Sequence, residues 1–372
     1  MSETFVHHGA MFSYYSAKTR AYLSYKQIPF VEGYDVPVLT GRIKEATGKV
    51  MVPVVETPEG ELLQDTTVII DALEKRFTAQ PILPSDPVLL MITRMVEFFI
   101  DELWICTAMN SRWNDPVSTA FAIGEFGRCF SAGQNLDDAE IQVIGERLAG
   151  RMQAYLPRLG VSEPTGQSAV KELFQQASLA LNKVVGASKF AFGNRPCLID
   201  FCLYAGYYAH QYRDPGAASS FLKSNTPELC YFIDNLHAAQ CLPVDGDLMV
   251  SDSLIDYLRL IGPVSVAFAA GTFETMNDYI RKNGTIPLNS ESLASDAALD
   301  PVKLVFDGQQ FIKVSSAYTA WKLQRVLEVF DGMSSSDRAR ALQLAEKIGW
   351  DSVLQMSPEF GLKREGYQIE LV

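Results

Sequence analysis

The sequence predicts three consecutive segments of different class: an α/β segment over residues 1–80, an all-helical segment over 88–250, and a mixed α+β extension over 251–372. Three observations carry this reading. Strand and helix patterns alternate through the first 80 residues. The stretch from Ala79 to Val88, AQPILPSDPV, then places three prolines where every pattern stops. Beyond it apolar residues recur at helical spacing, and β-type runs return only after residue 300.

Each element has a local reason. Thr4-Phe5-Val6 is a short β-type run. Tyr15 to Lys26 reads as a helix, with Ala17 and Ala21 one turn apart and small enough for close packing on a sheet. Pro29 stops that helix, and Ile28 to Val31 begins a second strand. Thr40 to Ala46 reads as a short helix ended by Gly48. Val50 to Val55 and Leu62-Leu63 flank Pro58 and Gly60, which predicts a β-hairpin. Gln64-Asp65-Thr66-Thr67 supplies N-cap residues for a helix whose apolar face is Val68, Ile69, Ala72, Leu73 and Phe77. The order is β-α-β-α-β-β-α.

Leu89 to Arg112 reads as one long helix with apolar positions at 89, 92, 96, 99 and 103. Helical patterns follow at Ser118 to Phe130, Asp137 to Leu156, Ser168 to Val185, Asp200 to Gln211 and Pro227 to Ala239. In the extension, Val264 to Arg281 predicts a helix and Gly284 to Leu299 a polar connector. Val302 to Phe306 and Phe311 to Val314 flank Asp307-Gly308, a hairpin turn pair. Helices at Ala317 to Phe330 and Ser335 to Ile348 close the chain, with Gly349 as a C-cap.

Composition narrows the function classes. The net charge of −12 repels phosphate backbones and argues against nucleic-acid binding. The N-terminus has neither the basic start nor the apolar core of a signal peptide. The longest apolar run, LIGPVSVAFAAGTF from Leu260 to Phe273, contains Pro263 and reads as too short to span a bilayer. A cytoplasmic protein without membrane insertion is the expectation. The six cysteines form no CxxC, which fits reduced, buried thiols. The four histidines form no metal-ligand spacing with one another or with cysteine, so no metal is expected.

Four motifs in order point further. They are Ser13-x-x-Ser16-x-Lys18-x-Arg20, Ile28-Pro29-Phe30, Val52-Pro53-Val54, and Gln64-Asp65-Thr66-Thr67-Val68-Ile69. Together they resemble the thioredoxin-like N-terminal domain of the cytosolic glutathione transferase family. Phe192 to Phe201, FGNRPCLIDF, is similar to the family's motif before the buried helix of its all-α domain. The resemblance covers about residues 3 to 245 and implies the glutathione transferase fold, with the extension after about residue 250 absent from ordinary members. The family's Ser or Thr three residues before Asp200 is here Cys197, a poor cap, so Asp200 is expected to act alone.

The resemblance implies glutathione as co-substrate, a homodimer, and a small hydrophobic electrophile as second substrate. It assigns the catalytic hydroxyl to Ser13, with Tyr14 as the alternative, since tyrosine-type members place theirs at almost this point. A free thiol has a pKa near 8.5, and lowering it by about two units needs roughly 3 kcal/mol. A hydroxyl donating to the sulfur, together with the positive end of a helix, can supply that. The main chain of Val52, exposed before Pro53, is implied to pair with the cysteinyl unit. Asp65 and Thr66 are implied to hold the γ-glutamyl end, and Lys49 the glycyl carboxylate. Trp104, Met109, Arg112 and Trp113 are implied to wall the acceptor pocket.

Simpler readings stand beside these. Ser13 and Ser16 are also N-cap residues, and Asp65-Thr66 can cap a helix without a ligand. Trp104 and Trp113 can be core, Cys106 buried and inert, and His7 and His8 core or edge residues. A non-catalytic scaffold using the extension is a second function class. A glutaredoxin-like thiol oxidoreductase is a third, but it needs a cysteine where Ser13 and Ser16 stand.

Overall fold

The computed structural model describes residues 4–33, 35–287 and 299–372. The chain forms two compact units, each assembled from non-consecutive segments. The first comprises Met1–Ile82, Ser111–Gln153 and Asn194–Asp247. The second comprises Leu83–Asn110, Ala154–Gly193 and Leu248–Val372. The extension is therefore no unit of its own, and the helical segments divide between the two.

The first unit holds a four-stranded sheet in the order β2-β1-β3-β4. Strand β1 (Phe5–His8) runs parallel to β2 (Phe30–Glu32), with Phe5 opposite Phe30. It runs antiparallel to β3 (Val54–Glu56), which pairs with β4 (Leu62–Gln64) as the hairpin expected from Pro58 and Gly60. The helix Tyr14–Tyr25 follows β1 and packs on the helices Thr66–Arg76 and Leu198–Tyr207. Ala17 and Ala21 are buried, and the principal partners of their helix are helices rather than the sheet expected from the sequence. The short helix expected at Thr40 to Ala46 extends from Val36 to Thr47, with a π-type stretch over Leu39–Ile43. Leu39 and Ile43 bury against Val54, so packing rather than propensity holds that stretch.

In the second unit the β5–β6 hairpin (Pro301–Phe306 and Gln309–Val314) turns at Asp307 and Gly308. Both turn residues have positive φ, 47° and 74°, as a two-residue hairpin turn requires. Strand β6 packs on the helix Pro164–Ser188 and on the turn Leu156–Leu159. Gly160 follows that turn at φ 68°, and a Cβ there would lie 2.1 Å from the Ile312 carbonyl oxygen.

Two features differ from the sequence reading. The helix expected to begin at Val264 begins at Asp252 and runs 32 residues to Asn283, with Pro263 inside it. A proline in a helix interior costs about 3 kcal/mol. Here Leu258, Ile261, Val264 and Phe268 are buried on either side of it, and that burial offsets the loss. By length and composition this helix could cross a membrane, although only the shorter run Leu260 to Phe273 stood out in the sequence; half of its apolar stretch is buried within the protein. The second difference is an unforeseen hairpin, β7 (Leu362–Glu365) with β8 (Gln368–Leu371). Most of the polar connector expected at Gly284 to Leu299 lies outside the described residues.

Candidate active site

The first unit brings Ser13, Tyr14, Lys49, Val52, Pro53, Asp65 and Thr66 into one compact body. Ser13 is the N-cap of the helix Tyr14–Tyr25, in extended conformation at φ −87° and ψ 128°. Its half-buried Oγ accepts from the Ser16 N–H at 3.3 Å. That bond uses an acceptor lone pair and leaves the O–H as a donor. Ser16 is fully buried, and its Oγ accepts from the Ala10 N–H at 3.2 Å. So the two serines divide the work: Ser16 ties down the turn, and Ser13 stands at the helix start, where the backbone dipole favours an anion. Tyr14 is buried, its ring edge-on to Tyr15 at 5.0 Å and to His210 at 6.0 Å.

The strand β1 histidines are held by carboxylates on neighbouring strands. His7 contacts Glu32 at 3.0 Å and Thr19 at 2.7 Å, and His8 contacts Glu56 at 3.2 Å. Burial holds the His7 imidazole below its ordinary value. Both are structural groups of the sheet.

The Val52–Pro53 peptide is cis. Val52 is half-buried and packs against the Leu39, Ile43 and Val54 cluster, and Pro53 is buried. Asp65 caps the helix Thr66–Arg76, accepting from the Thr67 N–H at 2.9 Å. Its backbone sits at φ 82° and ψ 136°, a region non-glycine residues rarely adopt and that costs about 1–3 kcal/mol. Thr66 beside it is buried. Thr47 links Lys49 to this corner. Its hydroxyl donates to the Lys49 carbonyl at 3.0 Å, and it accepts from the Lys49 N–H at 3.3 Å and from Gln64 Nε2 at 3.5 Å.

The four residues expected to wall an acceptor pocket do not share one compact body. Arg112 and Trp113 belong to the first unit, Trp104 and Met109 to the second. Trp104 is fully buried, between Phe99 at 5.8 Å and Phe174 at 6.4 Å between ring centroids. Met109 is also buried. Trp113 stacks on Phe126 at 5.9 Å, and Phe126 meets Phe12 edge-on at 4.5 Å, which sets an aromatic cluster directly before Ser13. Arg112 is 2% exposed and is occupied by protein groups: both Asp214 oxygens, the Phe12 carbonyl and the Ala209 carbonyl. Cys106 is buried, and its thiol is pushed up to about 12 by that burial.

Asp214, His210 and Thr47 escaped the sequence reading. Asp214 lies 102 residues from Arg112, and no local pattern joins them. The motif before the buried helix departs from expectation as well. Asp200 accepts from the Cys197 N–H at 2.9 Å and from its sulfur at 3.6 Å, so the capping box is complete with a thiol in place of the hydroxyl. Among the described residues, no group of three His, Cys, Asp or Glu is placed to hold a metal ion.

Residues 8–81 match the family model described as glutathione S-transferase, N-terminal domain. That match identifies residues 8–81 as a glutathione S-transferase N-terminal domain. Similar solved structures include the β-etherase LigF from Sphingobium sp. strain SYK-6, 19% identical, covering 64% of this chain and 97% of that one with a TM-score of 0.45. FzlA from C. crescentus is 17% identical, covering 68% and 99%, with a TM-score of 0.41. A glutathione S-transferase from Methylobacterium radiotolerans, in complex with glutathione sulfonate, is 17% identical, covering 67% and 99%, with a TM-score of 0.36. No curated protein matches the chain.

Proposed function

We propose that the protein activates glutathione for attack on a small hydrophobic electrophile. Ser13 donates its hydroxyl hydrogen to the glutathione sulfur and stabilises the thiolate. The thiol proton leaves to solvent as the sulfur ionises. The sulfur lone pair forms the new bond to the electrophilic carbon, and the leaving group departs with the electrons of the bond it loses. Asp65 holds the ammonium of the γ-glutamyl unit, and Thr66 with the helix start holds its carboxylate. Val52 pairs with the cysteinyl main chain, and Lys49 serves the glycyl carboxylate.

The observation that carries this reading is the half-exposed Ser13 hydroxyl at the start of the helix Tyr14–Tyr25, its donor hydrogen not spent on the cap. Tyr14, at 3% exposure with its ring against His210, is the more deeply buried residue. The aromatic cluster of Phe12, Trp113 and Phe126 next to Ser13 suits an apolar acceptor.

The test is turnover of a generic aryl halide together with glutathione binding by calorimetry. In Ser13→Ala, affinity should stay within about twofold while kcat/KM falls about ten- to hundredfold, the loss of one hydrogen bond to a charged sulfur. Tyr14→Phe should leave turnover close to the parent. Full activity in Ser13→Ala with loss in Tyr14→Phe would reverse the assignment. Absence of glutathione binding would remove the enzyme reading and favour a scaffold.

A further inference from the structure

The Arg112–Asp214 pair lies within the first unit and poses an energetic question. Both side chains are essentially sealed from solvent, at 2% and 0% exposure. Burying two charges is costly, and such a pair is often no more stable than apolar residues of the same volume. The return is geometric. A guanidinium is a planar fork that fixes direction as well as distance.

Arg112 makes four hydrogen bonds through that fork. Nε donates to Asp214 Oδ2 at 2.6 Å, and Nη2 donates to Oδ1 at 2.9 Å. The remaining bonds go to backbone: Nη1 to the Phe12 carbonyl at 2.9 Å, and Nη2 to the Ala209 carbonyl at 2.7 Å. Phe12 immediately precedes Ser13, and Ala209 immediately precedes His210.

The Phe12–Ser13 peptide is one rigid plane. Its oxygen is held by Arg112, and its N–H, that of Ser13, donates to the Ala10 carbonyl at 3.0 Å. With both edges fixed, the Ser13 N–Cα axis is fixed, and the Ala17 N–H, donating to the Ser13 carbonyl at 3.2 Å, restrains rotation about it, so the direction of the Cα–Cβ bond is set. The Ser16 N–H, at 3.3 Å from Oγ, then selects the side-chain rotamer. Asp214 in turn holds the fork, since it supplies the two bonds that set the guanidinium plane.

We propose that Arg112, oriented by Asp214, is a positioning residue for the Ser13 hydroxyl. The inference rests on the reading of Ser13 as the thiol-activating group. It assigns to a residue otherwise expected only in the acceptor wall a function at the thiol. Asp214 contributes without touching either substrate.

The test uses the full chain with glutathione as probe and Asp214→Asn as the first variant, because an amide keeps the shape and one acceptor. Arg112→Lys is the second; it keeps the charge but cannot reach both carbonyls. Three quantities are measured: glutathione affinity by calorimetry, ionisation of the bound thiol by the ultraviolet absorbance of the thiolate across pH, and thermal unfolding. The expected result is affinity within about twofold and a bound-thiol pKa raised by about one unit, so turnover falls about threefold at about pH 7, approaches a roughly tenfold loss at lower pH and recovers at higher pH. Placed on Ser13→Ala, Asp214→Asn should add nothing to the thiol pKa, because the group being positioned is gone.

A folded Asp214→Asn or Arg112→Lys whose bound thiol ionises as in the parent overturns the proposal. So does an equal shift in the Ser13→Ala background. Should Asp214→Asn not fold, Arg112→Lys decides by the same readouts. Failure of the underlying reading has its own signature. It appears in the parent and in Ser13→Ala alone, as no glutathione binding or as no change in thiol ionisation, and it removes the positioning role with it.

Discussion

Buried histidines make the first unit sensitive to acid. His7 and His210 both lie in the interior, and burial holds each imidazole below its ordinary value of 6.5. The Arg112 guanidinium pushes His210 further in the same direction. Once unfolded, both protonate near 6.5, so below that pH the unfolded chain binds more protons and stability falls as pH drops. Each histidine contributes a slope of at most about 1.4 kcal/mol per pH unit. Glu32 adds a second phase: burial raises its carboxyl, but hydrogen bonds from His7 and Arg20 outweigh that and bring it to about 2. Its contribution is present above the ordinary carboxylate value of 4.5 and is lost as pH falls towards 2. Urea midpoints should therefore be lower at pH 5.5 than at pH 7.5, and His210→Gln should flatten that difference; a parent midpoint that does not change between the two would contradict the account. Residues such as Ser13, Val52-Pro53 and Asp65-Thr66 were legible because each belongs to a short local motif. Arg112–Asp214 was not, since its partners meet only through the tertiary fold.

At the scale of elements, the best-read parts are those with local turn chemistry. The β3–β4 hairpin and the β5–β6 hairpin both sit where Pro58, Gly60 and Asp307-Gly308 placed them. The β7–β8 hairpin was hidden because its strands, LKRE and QIEL, are short and rich in charge, a pattern that reads as solvated coil. Pro263 hid the first third of the helix Asp252–Asn283, because tertiary burial overrode a local breaker. One contact between elements gives a sharp prediction. Gly160 has φ 68° and faces the Ile312 carbonyl on β6, and Gly166 faces the Gly160 carbonyl with only 1.8 Å for an added Cβ. Gly160→Ala combines a backbone penalty with a clash against main chain. It should cost about 2–4 kcal/mol in chemical denaturation. A loss under about 1 kcal/mol, within the range of ordinary loop positions, would mean that β6 does not press on this turn.

At the scale of the molecule, the extension is part of a shared core. In the second unit, Lys322 on the helix Ala317–Asp331 pairs with Asp101 and lies 3.9 Å from Glu97, which Arg94 also contacts at 2.7 Å. Thr319 donates to Glu102 at 2.7 Å. Burial pushes the Glu102 carboxyl up, against the pull of Lys322 and Lys313. Phe98 stacks on Phe268 at 5.6 Å and meets Trp350 edge-on at 6.4 Å. Ending the chain at residue 250 would leave Glu97 and Asp101 without Lys322 and expose that aromatic core. Removing one partner of a buried ion pair alone costs about 3–5 kcal/mol. The truncated protein should lose its cooperative thermal transition and aggregate, as seen by calorimetry and light scattering. A soluble 1–250 fragment with a sharp transition would show that the extension is dispensable. The family resemblance set the start of the extension at about residue 250 but did not show this sharing, because burial of a charge is invisible until its partner is placed.

The interleaving of segments also has a consequence for synthesis. The first unit needs residues up to Asp247, and the second needs the chain to its last segment, Leu248–Val372. During translation the helix Pro87–Phe98, almost wholly buried in the finished protein, emerges more than two hundred residues before its partners Ala317–Asp331 and Ser335–Ile348. Contacts so distant in sequence form slowly, and apolar helices awaiting them are open to aggregation. A nascent chain stalled anywhere between the two units' completion points would carry a finished first unit and an unfinished second one, a natural client for chaperones on the ribosome.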